Sequence, residues 1–387
     1  NFTEIICEGD TFADITPLDN TDGVVPAGTT YTWVIANTSS DAIEGASAST
    51  SASATIPGSQ LTLVDGTTSP QDLIYTVTPT SADDCVGETF TVTITVNPTA
   101  QVNEIVDQVK CNGVQTDAIV FSTVNTDGAT TYSWINDNTS IGLAESGDEN
   151  NIPSFAAIAG TSSEVATIEV TPTYTNNGIL CTGDPETFTI TVNPTAQVNA
   201  QSIPQVLCNG DQTDAIVFST VNTDGATTYS WINDNTSIGL AESGDENNIP
   251  SFAAIAGTSS EVATIEVTPT YTNNGILCTG DPETFTITVN PTPTMNTPSN
   301  IEVCNGAQDV VINFTTDNTG GVTTYAWSAT GPEIGLPDST TDITDSTADI
   351  TFNANNPDSA PRVVTIEVTP IFTNDGITCT TEDSQTF

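Results

Sequence analysis

Apolar and polar residues alternate with a period of two along much of this chain. Val165–Tyr174 reads VATIEVTPTY, which sets Ala166, Ile168 and Val170 on one face and Thr167, Glu169 and Thr171 on the other. Thr187–Val192 (TFTITV) repeats the pattern, with Phe188, Ile190 and Val192 expected inward and Thr187, Thr189 and Thr191 outward. Further strands are expected over Val102–Val109, Ala118–Thr123 and Thr130–Ile135. NTDG at Asn125–Gly128 should form the turn between two of them, its Asp-Gly pair supplying positive φ. Thr, Asn, Val, Ile and Gly dominate, and no helical period appears. Short strands closed by turns predict an all-β fold of immunoglobulin-like sandwiches.

The same text then recurs. Residues 115–195 and 212–292 are identical at an offset of 97 positions, and the flanking quarters are diverged copies. Each quarter has an early cysteine (Cys7, Cys111, Cys208, Cys304), a tryptophan (Trp33, Trp134, Trp231, Trp327) and a late cysteine (Cys85, Cys181, Cys278, Cys379). Early and late cysteines stand 78, 70, 70 and 75 residues apart, the variation that loop insertions produce at small entropic cost. Asn97-Pro98, Asn193-Pro194 and Asn290-Pro291 each suit the end of a closing strand, because proline cannot extend a ladder. These marks divide the chain into four modules, 1–97, 98–193, 194–290 and 291–387, with the last strand of the fourth cut short. Links this short predict a semi-rigid, elongated rod. The last module stops at Phe387 where the complete copies continue ITVNP, so the chain reads as a window on a longer array.

Eight cysteines, two per module, are expected to form four disulfides in an oxidising compartment, one within each module. Each would tie the first strand to the loop before the last and contribute about 4 kcal/mol through loop closure. The four tryptophans are expected to pack in the cores beside these bonds.

Charge and missing residue types narrow the function. Against 49 acidic residues stand only Lys110 and Arg362, a formal charge of −47. Such a surface repels nucleic acid and anionic membranes, and no apolar stretch is long enough to insert directly into a bilayer. The chain has no histidine, which removes imidazole bases and His-containing zinc sites. A lone lysine cannot supply each module with an isopeptide bond. An enzyme is not expected, and no catalytic residue is assigned. Calcium is the one cofactor the side chains suggest, with Asp137, Glu145, Asp148, Glu149, Asp184 and Glu186 as oxygen ligands, repeated as Asp234, Glu242, Asp245, Glu246, Asp281 and Glu283. The competing reading of these residues is a solvated acidic surface. Asp338–Thr340, Asp345–Thr347 and Asp358–Ala360 match a short Asp-Ser-Thr/Ala O-glycosylation pattern.

Thr130–Trp134 (TTYSW) and Gly178–Thr195 (GILCTGDPETFTITVNPT), with looser versions at Cys85–Thr99 and Gly376–Phe387, resemble the PKD-like repeats of giant Bacteroidetes surface adhesins. The resemblance implies a filamentous, type IX-secreted adhesin of the gliding-motility kind on the exterior of the outer membrane. Implied partners are other modules of the same chain, an extracellular surface or polysaccharide, and the cell-surface motility or secretion machinery. The fourth module departs from the pattern with Thr380-Thr381 where Thr-Gly follows the late cysteine elsewhere. Two other readings stand beside the stalk: a subunit of a self-assembling filament or sheath, and glycan- or matrix-binding modules.

Overall fold

A computed structural model describes residues 1–36, 41–199, 204–337 and 349–387. The triplets at Asp338–Thr340 and Asp345–Thr347 lie outside the described residues. Two compact units divide the chain, Asn1–Pro194 and Thr195–Phe387. Each holds two of the sequence modules, and every module has its own apolar cluster.

The second module shows how the pattern becomes a fold. Its main sheet runs Ser146–Gly147, Ala129–Asn136, Glu164–Asn176, Glu186–Asn193 and Gln108–Cys111, with Ile179–Thr182 folded back on the end of Glu164–Asn176. The central strand, Glu164–Asn176, is antiparallel to its neighbours, whereas the lead strand, Gln108–Cys111, runs parallel to the closing strand, Glu186–Asn193. A small sheet of Ile119–Val120 and Asn151–Ile152 supplies the facing layer. Ala166, Ile168, Val170, Phe188, Ile190 and Val192 point into the core between the layers, as their alternation requires. Thr191, expected outward, is buried within the middle of the sheet. Only Gln108–Val109 of the expected strand Val102–Val109 is paired, while Val102 and Ile105 cover the core as irregular chain.

The tryptophans belong to these cores. Trp134, Trp231 and Trp327 are each 6 % exposed, and Trp33 is half-buried, its indole N–H donating to the Ser47 carbonyl at 3.0 Å. The expected place beside the disulfide is not taken at the first cystine: Cys7–Cys181 is seated in a separate small cluster with Ala100 and Tyr174, apart from the clusters that hold Trp33 and Trp134. Phe155 and Phe252 pack against the cores of the second and third modules.

The turn at Asn125–Gly128 forms, with a division of labour the sequence does not announce. Asp127 takes the left-handed conformation at φ 58°. Gly128 is needed for closeness instead, since a Cβ there would stand 2.3 Å from the Tyr174 ring.

Candidate functional site: the cystine-locked junction

Strand register places the two cysteines of a module at opposite ends of its sheet. Cys111 stands opposite Asn193, at the exit end where the chain leaves for the next module. The central strand runs the other way: Glu164 faces Val192 at the exit end, and Tyr174 faces Cys181 at the entry end. About eleven residues of strand at roughly 3.3 Å each put the two sulfur-bearing ends about 35 Å apart, where a disulfide needs Cα atoms about 6 Å apart. The first module has the same layout, with Cys7 opposite Asn97, and Ser81 donating its backbone N–H to the Cys85 carbonyl.

The expected bonds within modules are therefore replaced by bonds between modules. Cys7 of the first module joins Cys181 of the second, with Cα atoms 5.5 Å apart, and Cys208 of the third joins Cys379 of the fourth, at 5.6 Å. Cys111 and Cys278 are also disulfide-bonded. Cys85 and Cys304 are exposed free thiols. At the Cys7–Cys181 and Cys208–Cys379 bonds the exit end of one module meets the entry end of the next, bringing an early and a late cysteine within bonding distance.

Around the first cystine the contact is tight. Tyr174 is fully buried against Ala100, and its hydroxyl donates to the Thr126 carbonyl at 2.8 Å. Asn176 donates from Nδ2 to Oδ1 of the buried Asn97 at 2.9 Å, which ties the second module's hairpin to the first module's Asn-Pro pair. Gly183 lies so close that a Cβ would fall 1.8 Å from the Ala100 carbonyl oxygen. The short link itself is held from both sides. Glu8 accepts hydrogen bonds from the backbone N–H and hydroxyl of Thr99, while Asn125 accepts from Gln101 N–H and donates to the Thr99 carbonyl. A backbone bond from Thr126 N–H to the Thr68 carbonyl spans the two modules beyond the link.

The second unit repeats the plan with substitutions. Asn374 donates to Asn290 Oδ1 at 3.0 Å, and Asn318 plays the part of Asn125, accepting from Thr294 N–H and donating to the Thr292 carbonyl. Phe372 takes the place of Tyr174, still fully buried but without the hydroxyl. In the sequence Thr381 takes the position of Gly183 and Pro293 that of Ala100, so the closest backbone approach of the first unit is not reproduced with the same residues.

Burial raises the phenol pKa of Tyr174 above its usual value, and the nearby Asp127 carboxylate adds to the shift. Tyr31, Tyr75, Tyr132, Tyr229 and Tyr325 are raised chiefly by the same loss of solvent.

The acidic candidates for calcium are scattered. Among the described residues no three or more carboxylates or thiols group as they would around a metal ion. Asp137 is occupied by the Thr167 N–H at 2.7 Å, and Asp234 by the Thr264 N–H at 2.6 Å. Glu145 and Glu242 share a shallow groove with Asp137 and Asp234 respectively. Asp148, Asp184, Asp245, Glu246, Asp281 and Glu283 are exposed, as is Glu149, while Glu186 is half-buried at the start of the closing strand. The two cations are both paired, Lys110 with Asp117 at 2.9 Å and Arg362 with Asp358 at 2.7 Å, the latter within the third glycosylation-like triplet.

Fold and junction together define the class: an all-β protein of tandem immunoglobulin-like sandwich modules, stabilised by disulfides of the extracellular kind. A profile of the PKD-like domain family matches residues 4–100. No curated protein matches the chain. Among solved structures the chain is similar to Drosophila N-cadherin EC1-4, at 12 % identity and a TM-score of 0.29, over 99 % of this chain and 97 % of that one. It is also similar to three N-terminal domains of the bacteriophage RB49 outer capsid protein Hoc (12 % identity, TM-score 0.35, 74 % of this chain and 95 % of that one). The titin I-band fragment I67-I69 aligns at 9 % identity and a TM-score of 0.37, over 75 % and 96 % of the two chains. Likeness at these scores carries nothing about role. No helix among the described residues is long and apolar enough to cross a membrane.

Proposed function

We propose that this chain is a repetitive stalk segment of a long secreted cell-surface adhesin, one that holds a cell to a surface and serves gliding motility. The observation that carries the reading is the junction. A cystine between neighbouring modules, a link hydrogen-bonded from both sides and a buried Tyr–Ala–Asn contact fix one module on the next. Tension arriving at Cys7 passes through a covalent bond to Cys181 and bypasses the chain between them, which suits a part whose task is to transmit force. The resemblance to PKD-like repeats of Bacteroidetes adhesins supplies the finer expectations of type IX export, display on the outer face of the outer membrane, and contact with motility machinery.

The test is made on intact cells of the source organism. Antibody raised against the purified chain should label unfixed cells, beads coated with it should travel along the cell body, and in-frame removal of the segment should reduce attachment and spreading. Labelling confined to permeabilised cells would overturn the surface assignment. Labelled beads that stay still on cells that otherwise glide would remove motility and leave attachment.

A further inference from the structure

Asparagine precedes glycine five times in the chain, at Asn112-Gly113, Asn177-Gly178, Asn209-Gly210, Asn274-Gly275 and Asn305-Gly306. In such a pair the backbone nitrogen of the glycine can attack the side-chain amide before it, because glycine has no Cβ to shield the approach. The fold sorts the five pairs into two groups.

Three of them directly follow an early cysteine, and there both reacting groups are held. Gly113, Gly210 and Gly306 donate their N–H groups to the carbonyls of Ala157, Ala254 and Ala354 at 2.7, 2.8 and 2.8 Å. The side-chain oxygens of Asn112, Asn209 and Asn305 accept from the N–H groups of Ala159, Ala256 and Asn356 at 3.1, 3.0 and 2.8 Å. The other two pairs are exposed two-residue turns, closed by the pairing of Asn176 with Ile179 and of Asn273 with Ile276. Among the described residues, neither Gly178 nor Gly275 donates a hydrogen bond, and the side chains of Asn177 and Asn274 make none. The fourth module has the same turn, between Asn374 and Ile377, with Asp375-Gly376 in it. Asp375 takes φ 46°, against 47° for Asn177 and 49° for Asn274, so the turn accepts a carboxylate with its backbone unchanged.

We infer that Asn177 and Asn274 are sites of spontaneous deamidation in the folded chain. The Gly178 nitrogen gives up its proton and bonds to Cγ of Asn177, the side-chain nitrogen leaves as ammonia, and water opens the resulting succinimide ring. Opening at Cγ leaves aspartate, the residue that already stands at 375. Opening at the main-chain carbonyl leaves isoaspartate, which adds a methylene to the backbone of the turn. In the first unit that turn supports the junction: Asn176 donates to Asn97, and Tyr174 faces Cys181 across the hairpin. A lengthened turn therefore disturbs the register of the cysteine bonded to Cys7. This ageing reaction rests on the junction alone and stands apart from the adhesin reading.

The experiment ages the intact, oxidised chain in mildly alkaline buffer and follows all five pairs by peptide mapping and by isoaspartate-specific enzymatic methylation. Asn177 and Asn274 should deamidate about tenfold faster, or more, than Asn112, Asn209 and Asn305, whose reaction waits on the opening of two hydrogen bonds. In the denatured chain the preference should vanish. Reduction of Cys7–Cys181 by dithiothreitol should quicken as isoaspartate builds up at residue 177, while the Asn177→Asp variant should be reduced at the starting rate. Equal rates at all five pairs in the folded chain, faster loss at any pair beside a cysteine, or a preference that persists after denaturation would each overturn the assignment. An unchanged rate of reduction in protein carrying isoaspartate at 177 would overturn its effect on the junction.

Discussion

Reduction of the Cys7–Cys181 bond under force gives the sharpest reading of the junction. When the first unit is held at Asn1 and Pro194 and its modules are pulled open with the bond intact, the chain between the two cysteines stays out of the load path. That stretch spans 174 residues. At about 3.5 Å per extended residue, cleavage of the one bond frees about 600 Å of contour in a single step. Bonds within modules behave differently: Cys7 to Cys85 spans 78 residues, and its cleavage would free about 270 Å. A force-clamp measurement on the oxidised protein with dithiothreitol in solution separates the two, because each reductive cleavage appears as one step of defined length. Steps near 600 Å are expected. Steps near 270 Å would refute the staggered pairing, and with it the argument that register forbids an intramodular bond.

Other consequences follow from the same contacts. Gly183→Val should lower the stability of the first unit by about 1–3 kcal/mol, because a side chain there meets the Ala100 carbonyl, while Gly160→Ala, with open space around it, should leave the melting temperature unchanged. Asn176→Ala should cost about 1–2 kcal/mol by leaving the buried Asn97 without its donor, and the loss should appear in the transition of the first unit alone. Stability should fall as pH rises above about 10: the buried phenols keep their protons in the folded state while those of the unfolded chain ionise, so the folded state binds more protons and loses ground with each increment of pH. Tyr174→Phe should soften that alkaline decline and cost about 1 kcal/mol at neutral pH through the lost bond to Thr126, as melting curves across the pH range would show. Added salt should raise the melting temperature by screening a charge of −47, and calcium should do no more than magnesium at equal concentration, since no described group of three carboxylates offers a chelating site. A stabilisation specific to micromolar calcium would show that expectation wrong.

Much of the module was legible because alternation is a direct record of burial. VATIEVTPTY and TFTITV name their own inward residues, and the Tyr132–Trp134 pair falls on the buried face of its strand as spacing requires. The disulfide partners were misread for a reason that alternation does not record. Two cysteines per repeat suggests one bond per repeat only if both lie at the same end of the sheet, and the direction of the lead strand decides that. A parallel lead strand beside the closing strand carries Cys111 to the exit end, whereas the hairpin that bears Cys181 folds onto the entry end. The two glycines at the junction were likewise silent. Gly128 reads only as part of the Asp-Gly turn and Gly183 only as a letter of the repeat, yet both are required by what presses against them, Tyr174 in one case and the Ala100 carbonyl in the other.

Staggered pairing also fixes a thiol count. If each early cysteine bonds to the late cysteine of the following module, a run of four modules leaves one late and one early cysteine without a mate, and these are Cys85 and Cys304. Both hold the local geometry of their bonded counterparts. Cys85 takes the register of Cys181, its carbonyl accepting from Ser81 N–H at 2.9 Å, and Cys304 caps the same turn as Cys7, its carbonyl accepting from Ala307 N–H at 3.1 Å where that of Cys7 accepts from Asp10 N–H at 3.0 Å. Neither is distorted out of bonding shape; each lacks a facing partner within the chain. Alkylation of the denatured, unreduced protein at low concentration should therefore label two cysteines per chain, and peptide mapping should place both labels on these residues. Four intramodular bonds would leave none to label. Labels spread over other cysteines would mean that the junctions do not close in the register that strand direction dictates.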